Sequence, residues 1–293
     1  MDASDVPSDS SRAGPFFSAW DARLQLAYVW RDGRTVLARR EHCGPLRVQR
    51  DLYPEGSATC HTIIVHPPGG IAGGDRLRLQ AQLDAGSAAL LTTPGAGKWY
   101  RSAGAEASQS LEFTVADGAV LEWLPQESIV FNAAAARMST SVQLQGSGIY
   151  IGWEVLCLGR TASGEAFAQG SLAMRTDIRR DGRRLWLEQG RIEGGGALMA
   201  SPVGLAGRRV AATLIAAAPL FDSAAGAALL ADCREVPAGE GALSGITRLP
   251  GVMVARWLGD SSEDARRHFT ALWMRLRPAL KHAVAQAPRI WST

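Results

Sequence analysis

Four carboxylates stand in apolar or glycine-rich company, where a charge costs several kcal/mol unless it is paired or holds a cation. Asp75 closes the run Pro67-Pro68-Gly69-Gly70-Ile71-Ala72-Gly73-Gly74-Asp75, a loop almost without side chains. Such a backbone must turn unusually or approach another group closely. Glu154 follows Trp153 inside a hydrophobic strand pattern, Glu165 follows Ser163-Gly164, and Glu188 follows Trp186-Leu187. Carboxylates so placed pair with one of the chain's many arginines, face outward from a strand, or line a polar passage.

Imidazoles and thiols offer a second chemistry. His42 adjoins Cys43, and Cys60, His61 and His66 fall within one short stretch. Neighbours on a strand face opposite ways, so Cys60 and His61 cannot easily share an ion, whereas Cys60 and His66 could if the chain bends at Pro67-Pro68. Otherwise each histidine is a hydrogen-bonded structural residue and each cysteine a small buried hydrophobe. A weak, exchangeable site for a borderline metal such as nickel, built from imidazole and carboxylate, is chemically reasonable.

Nucleotide chemistry fails on spacing. Thr93-Pro94-Gly95-Ala96-Gly97-Lys98 resembles the second half of a phosphate loop, but Thr92 stands where the first glycine belongs and Trp99 where a magnesium-binding hydroxyl belongs. Gly194-Gly195-Gly196 lacks the dinucleotide-binding spacing, and no Gly-x-Ser-x-Gly elbow occurs.

The elements that would position these groups are strands in the first two-thirds of the chain. Leu77, Leu79, Ala81 and Leu83 alternate before Asp84-Ala85-Gly86; Leu111, Phe113 and Val115 alternate before Asp117-Gly118; Ile149, Ile151, Trp153 and Val155 alternate after Gly146-Ser147-Gly148. Each pattern predicts a hairpin, and Asp181-Gly182 predicts another. Turn glycines at 86, 118, 148 and 182 form a weak repeat. A hairpin cannot bury its apolar face alone, so the expected fold is mainly β: an elongated stack, β-helix-like or sandwich, carrying two C-terminal helices. A flexible tail is expected over 1–14 and one β-rich domain over 15–293, more helical from about 205.

That C-terminal part reads as a strand from Arg209 to Ala218, a helix from Phe221 to Cys233 with Asp222 as its N-cap, and a strand from Gly251 to Trp257. A last helix begins after Ser261 or Ser262. Its apolar stripe is Ala265, Phe269, Leu272, Trp273, Leu276, Leu280 and Val284, with Pro278 expected to kink or split it and Arg266, Arg267, Arg277 and Lys281 mostly off the stripe.

Composition sets the bounds. The 293 residues are 46% hydrophobic and 20% charged, which excludes disorder as the main state. A net charge of +3 without a basic run argues against nucleic acid and a polybasic membrane anchor. No stretch is long enough for a membrane helix, and Met1 to Ser11 lacks the charged and apolar regions of a secretory signal. Four scattered cysteines make no disulfide framework, so a reducing cytoplasm is expected.

Four strings carry a family likeness: PPGGIAGGDRL from Pro67, LTTPGAGKWYRS from Leu91, LEWLPQESIVFNA from Leu121 and GWEVLCLGRTASGEAFAQG from Gly152. In this order they resemble the urease accessory protein D family, also called H. The resemblance implies a scaffold and metal conduit in place of an enzyme, with a helical β-rich body. Its implied partners are the urease apoprotein, accessory protein F and, through F, the GTPase accessory protein G. Nickel is then a transported ion, passing through an internal water-filled channel, with no tightly bound cofactor. Under that reading Asp75 is the first channel candidate, followed by Glu154, Glu165 and Glu188, with His61 and His66 weaker. Lys98, Tyr100 and Arg101 are assigned to fold or interface; Lys98-Trp99 departs from the polar residue often found there. The alternative is a carbohydrate-active enzyme on a β-helix, which needs paired carboxylates in an open groove with aromatic platforms.

Overall fold

The computed structural model describes residues 19–281 and 283–292, so the tail expected over 1–14 lies outside the described residues. The chain opens with β1 (Asp21–Arg31) and β2 (Arg34–Cys43), followed by β3 (Arg47–Val48) and β4 (Cys60–Val65). Three coils then succeed one another. The first holds β5 (Arg76–Leu83), β6 (Ala88–Thr92) and β7 (Gly97–Trp99); the second holds β8 (Ala107–Val115), β9 (Val120–Trp123) and β10 (Ser128–Val130). The third has β11 (Ala135–Leu144) and one long strand, β12 (Ile149–Leu158), which pairs with β9 in its first half and β10 in its second. β13 (Ser171–Arg180) returns as β14 (Arg183–Glu193). After the single turn α1 (Ala197–Ala200) come β15 (Val210–Ala217), α2 (Ala224–Arg234), β16 (Leu243–Leu249), β17 (Val252–Gly259) and α3 (Ser262–Lys281).

Two sheets result. One runs β14-β13-β11-β8-β5-β1-β2; the other runs β16-β17-β15-β12-β9-β6-β4-β3, with β7 and β10 pairing beside β12. The expected hairpins at Asp84-Ala85-Gly86, Asp117-Gly118 and Gly146-Ser147-Gly148 are arches: each carries the chain from the first sheet to the second, and equivalent strands of successive coils pair in parallel. A period-2 pattern does not distinguish the two outcomes. What does is β6 and β9, buried at every position, as strands covered on both faces must be. The glycine repeat is thus the coil repeat. Asp181-Gly182 is a true hairpin, with φ of 48° and 79° as a type I′ turn requires.

The stack is held by two apolar layers. Between the sheets, columns such as Leu26, Ala81, Phe113, Val142 and Ile178 repeat from strand to strand in exact cross-strand register. Outside the second sheet, Leu90, Ile151, Trp153 and Leu214 meet Phe269, Leu272, Trp273 and Leu276 of α3. Each such side chain contributes about 1.5–3 kcal/mol by leaving water.

The C-terminal expectations need four corrections. Ser223, not Asp222, caps α2 by accepting from the Gly226 amide at 3.2 Å, while Asp222 accepts from the Gly251 amide at 2.8 Å. Pro278 does not split α3: it lies in the last turn, where only the bond to the Met274 carbonyl, on an exposed residue, is lost. Val284 lies beyond the helix and is 84% exposed, so the apolar stripe ends at Leu280. Arg277 is fully buried on the sheet side of α3. Ser261 does cap the helix, accepting from the Asp264 amide at 3.2 Å.

Candidate functional site between the sheets

Toward β14 and β16 the interior between the sheets changes character. On β11, β13 and β14 the inward row reads Thr140, Thr176, Glu188; on β12, β15 and β17 it reads Glu154, Thr213, Arg256. These two polar rows face each other across a cleft of about 760 Å³. Met138, Met174, Leu198 and Val203 also line it, and Val203, 98% exposed, places its mouth at solvent.

The rows are cross-linked. Arg256 donates to the Thr213 hydroxyl at 2.9 Å and pairs with Glu188 at 2.7 Å, joining the second sheet to the first. Deeper in, the Ser128 hydroxyl donates to Glu154 at 2.7 Å. Among the described residues no cation pairs with Glu154, and burial pushes its carboxyl up to about 7, with the Ser128 bond acting the other way. Gly152, two residues earlier on the same face, makes room for Tyr150: a Cβ there would lie 2.0 Å from the Tyr150 hydroxyl oxygen. The glycine of the Gly152-Trp153-Glu154 string therefore shapes the floor beside the carboxylate.

Of the sequence-predicted carboxylates, the structure brings Glu154 and Glu188 to one cavity and places the other two elsewhere. Asp75 is 3% exposed, and its two oxygens accept from the Trp20 and Ala72 amides, each at 2.8 Å, closing the glycine loop. That loop makes the close approach its composition requires, since a Cβ on Gly70 would lie 2.2 Å from the Tyr100 ring. Glu165 accepts from the Asn132 amide at 2.6 Å and pairs with Arg160, which holds its carboxyl below the usual range. Arg160 stacks over Phe131, which meets Tyr100 edge-on at 5.1 Å. The strings behind the family likeness thus contribute successive steps to one corner of the coil stack, and Tyr100 belongs to the fold.

His61 and His66 also part. Cys60 faces the inter-sheet core and His61 the layer under α3, as neighbours on a strand must. His61 contacts Glu55 at 2.6 Å; Glu55 reaches Arg277 at 2.5 Å; and Arg277 and Trp273 both donate to the fully buried Glu122, at 3.0 and 2.7 Å. Lys281 adds a second cation 4.0 Å from Glu122 and bonds Thr59, and burial pushes its ammonium down to about 8. This clamp fixes α3 over the sheet. His66 stands apart, its buried Nε2 without a hydrogen-bond partner among the described residues and its imidazole held below the usual range by burial.

Sequence reasoning missed Glu122, although the rule that singled out Glu154, a carboxylate beside tryptophan in an apolar strand, applies equally to Leu121-Glu122-Trp123. It also missed Thr140, Thr176, Thr213 and Arg256, whose shared face exists only through strand register. Among the described residues no three His, Cys, Asp or Glu side chains group as a metal cage. All four cysteines are free thiols; Cys60, Cys157 and Cys233 are buried as expected, and Cys43 is exposed. No helix among the described residues is long and apolar enough to cross a membrane.

The cleft holds two carboxylates beside tryptophan, as the hydrolase alternative requires. Its tryptophans offer no platform, however: Trp123, Trp153 and Trp257 are only 5%, 4% and 2% exposed, and Glu188 is engaged by Arg256. Comparison with known proteins decides the matter. Residues 21–292 match the family model described as UreD urease accessory protein. The chain is 58% identical over 276 residues to the urease accessory protein UreD of an Azoarcus strain, covering 94% of each chain. It is 52% identical over 275 residues to that of Dechloromonas aromatica, covering 94% of this chain and 95% of the relative. With the Pseudomonas aeruginosa protein of the same name it shares 50% over 280 residues, covering 95% and 97%. The chain belongs to the UreD family of urease accessory proteins, which are maturation factors and not enzymes.

Proposed function

We propose that this chain serves urease maturation as a scaffold and nickel conduit in the cytoplasm, binding the urease apoprotein, accessory protein F and, through F, the GTPase accessory protein G. The observation that carries the reading is the polar pair of rows inside an otherwise apolar stack. These half-buried to exposed positions line the cleft with carboxylate, hydroxyl and guanidinium groups where the neighbouring inter-sheet columns are apolar. Glu154, unpaired with any cation among the described residues, is the group best suited to meet a passing one.

The donor chemistry fits a transported ion. Nickel is borderline and accepts oxygen and nitrogen ligands, and single carboxylates supplemented by water release it where a closed thiolate cage would retain it. Asp75 and Glu165 serve the path by holding the loops that shape the stack, through the backbone bonds described above.

The test is nickel-dependent activation of a matching urease apoprotein with F, G, GTP and bicarbonate, with and without this chain. Activation that requires the chain supports the reading. Equal activation in its absence contradicts it.

A further inference from the structure

We infer that the outer face of the seven-stranded sheet, which no element of the described residues covers, is a docking trough for an acidic α-helix of a protein partner. The second sheet has its outer face covered by α3, whereas β5, β8, β11 and β13 turn theirs to solvent. Parallel pairing runs without a register shift from β1 through β5, β8 and β11 to β13, so outward side chains form straight rows across the face.

The rows give the face a profile. On the central strands β8 and β11 the outward residues include Ser108, Ser110, Thr114, Ser139 and Ser141, a floor of short side chains. Long side chains stand on either side. On β1 and β5, Arg23, Arg76 and Arg78 surround one acid, Asp21, whose carboxyl they hold below its usual range, Arg23 most strongly through its hydrogen bond. On β13 and β14, Arg175, Arg179 and Arg184 surround one acid, Asp177, at 3.0, 3.3 and 3.1 Å.

The first bank therefore carries three guanidinium groups against one carboxylate, and the second carries the same around Asp177, beside a further arginine, Arg191, that is matched by Glu193. Among the described residues Arg76 and Arg78 form no ion pair, so the first bank has two uncompensated charges; the second has two because its three arginines share a single partner. Asp177 is 12% exposed and lies beneath its arginines, holding them outward. The floor carries one acid, Glu112, tied to Gln80 at 2.8 Å, and Arg137 at its end is matched by Glu106.

Dimensions select the occupant. From β5 to β13 there are three strand spacings, about 14 Å, and a helix with its side chains is about 10–12 Å across. A helix laid along the strands would sit on the serine floor and offer acidic flanks to both banks. Its pairs would lie at the solvent boundary, where charge sets steering and register.

The experiment is fluorescence anisotropy on the full chain with a labelled helical peptide of about 20 residues, long enough to span about 30 Å, built from alanine with glutamate on both flanks. The comparators are the same composition interrupted by prolines, the lysine analogue, and a DNA duplex. The inference expects binding of the glutamate helix alone, weakened about tenfold by Arg78→Glu with Arg184→Glu and by raised salt, and unchanged by Arg208→Glu away from this face. The neutral pair Arg78→Gln with Arg184→Gln, checked by thermal melting, covers misfolding of the charge-reversed variant. No binding, equal binding of the proline peptide, tighter binding of the duplex, or indifference to both substitutions would overturn it. This readout uses neither urease nor nickel, so it fails or succeeds independently of the conduit reading.

Discussion

Arg256 on β17 and Glu188 on β14 meet at 2.7 Å across the cleft, an ion pair that spans the two sheets. Arg256 also holds the Thr213 hydroxyl at 2.9 Å, and its guanidinium lies 5.9 Å from the Trp186 ring centroid. The two side chains are 45% and 36% exposed, so water screens the pair. A double-mutant cycle with Arg256→Ala and Glu188→Gln should return a coupling below about 1 kcal/mol in urea unfolding. A larger coupling would mean that the pair is a structural strut of the cleft and not a screened boundary contact.

Glu154 gives the cleft a pH signature. Its folded carboxyl titrates at about 7 because burial disfavours the charged form, whereas an unfolded glutamate titrates near 4.3. Below that lower value both states are protonated and the group costs nothing. As pH rises toward 7 the unfolded state loses its proton first, so stability falls, by at most about 4 kcal/mol, and then levels off. Glu154→Gln should match the wild type in acid and exceed it above pH 7. Identical pH–stability curves for the two proteins would place the Glu154 titration in the ordinary carboxylate range.

The clamp under α3 rests on Arg277, fully buried between Glu122 and Glu55. Arg277→Met leaves Glu122 with the Trp273 indole N–H as donor and Lys281, at 4.0 Å, as its remaining cation among the described residues, and breaking one side of a buried pair costs about 3–5 kcal/mol. Adding Glu122→Gln should recover part of that loss, because the stranded charge is removed. Thermal unfolding of the single and double variants measures both, and a double variant no more stable than the single one would locate the cost in packing of α3.

Much of this was legible in the chain. Alternation in Leu77 to Leu83 and Leu111 to Val115 revealed strands whose inward residues are indeed buried. The spacing of turn glycines reported the coil, but whether Asp117-Gly118 closes a hairpin or an arch depends on what covers β9, which lies outside any local window. The same limit applies to the site. Glu154 and Glu188 stood out singly by their neighbours, whereas their meeting with Thr176, Thr213 and Arg256 is set by pairings between strands dozens of residues apart. Arg277 misled because a charge on a helix is ordinarily solvated, and its two buried carboxylate partners come from Glu55 and β9.

The glycine loop yields a local prediction. A Cβ on Gly70 would lie 2.2 Å from the Tyr100 ring, so Gly70→Ala must displace that ring from Phe131. The expected loss is about 1–3 kcal/mol, as for other overpacked sites. Tyr100→Ala in the same chain should relieve the clash, and non-additive melting temperatures would register it. Strict additivity would show that the loop moves aside freely.

The central claim is that a cation passes the inter-sheet cleft at Glu154. Its most direct test is nickel-dependent urease activation by Glu154→Gln, in a protein shown to assemble with the apoprotein and the other accessory proteins as the wild type does. The account predicts activation reduced about tenfold or more, with the wild type losing activation as pH falls below 7 while the variant's residual activity stays flat. Full activation by Glu154→Gln across that range would contradict it.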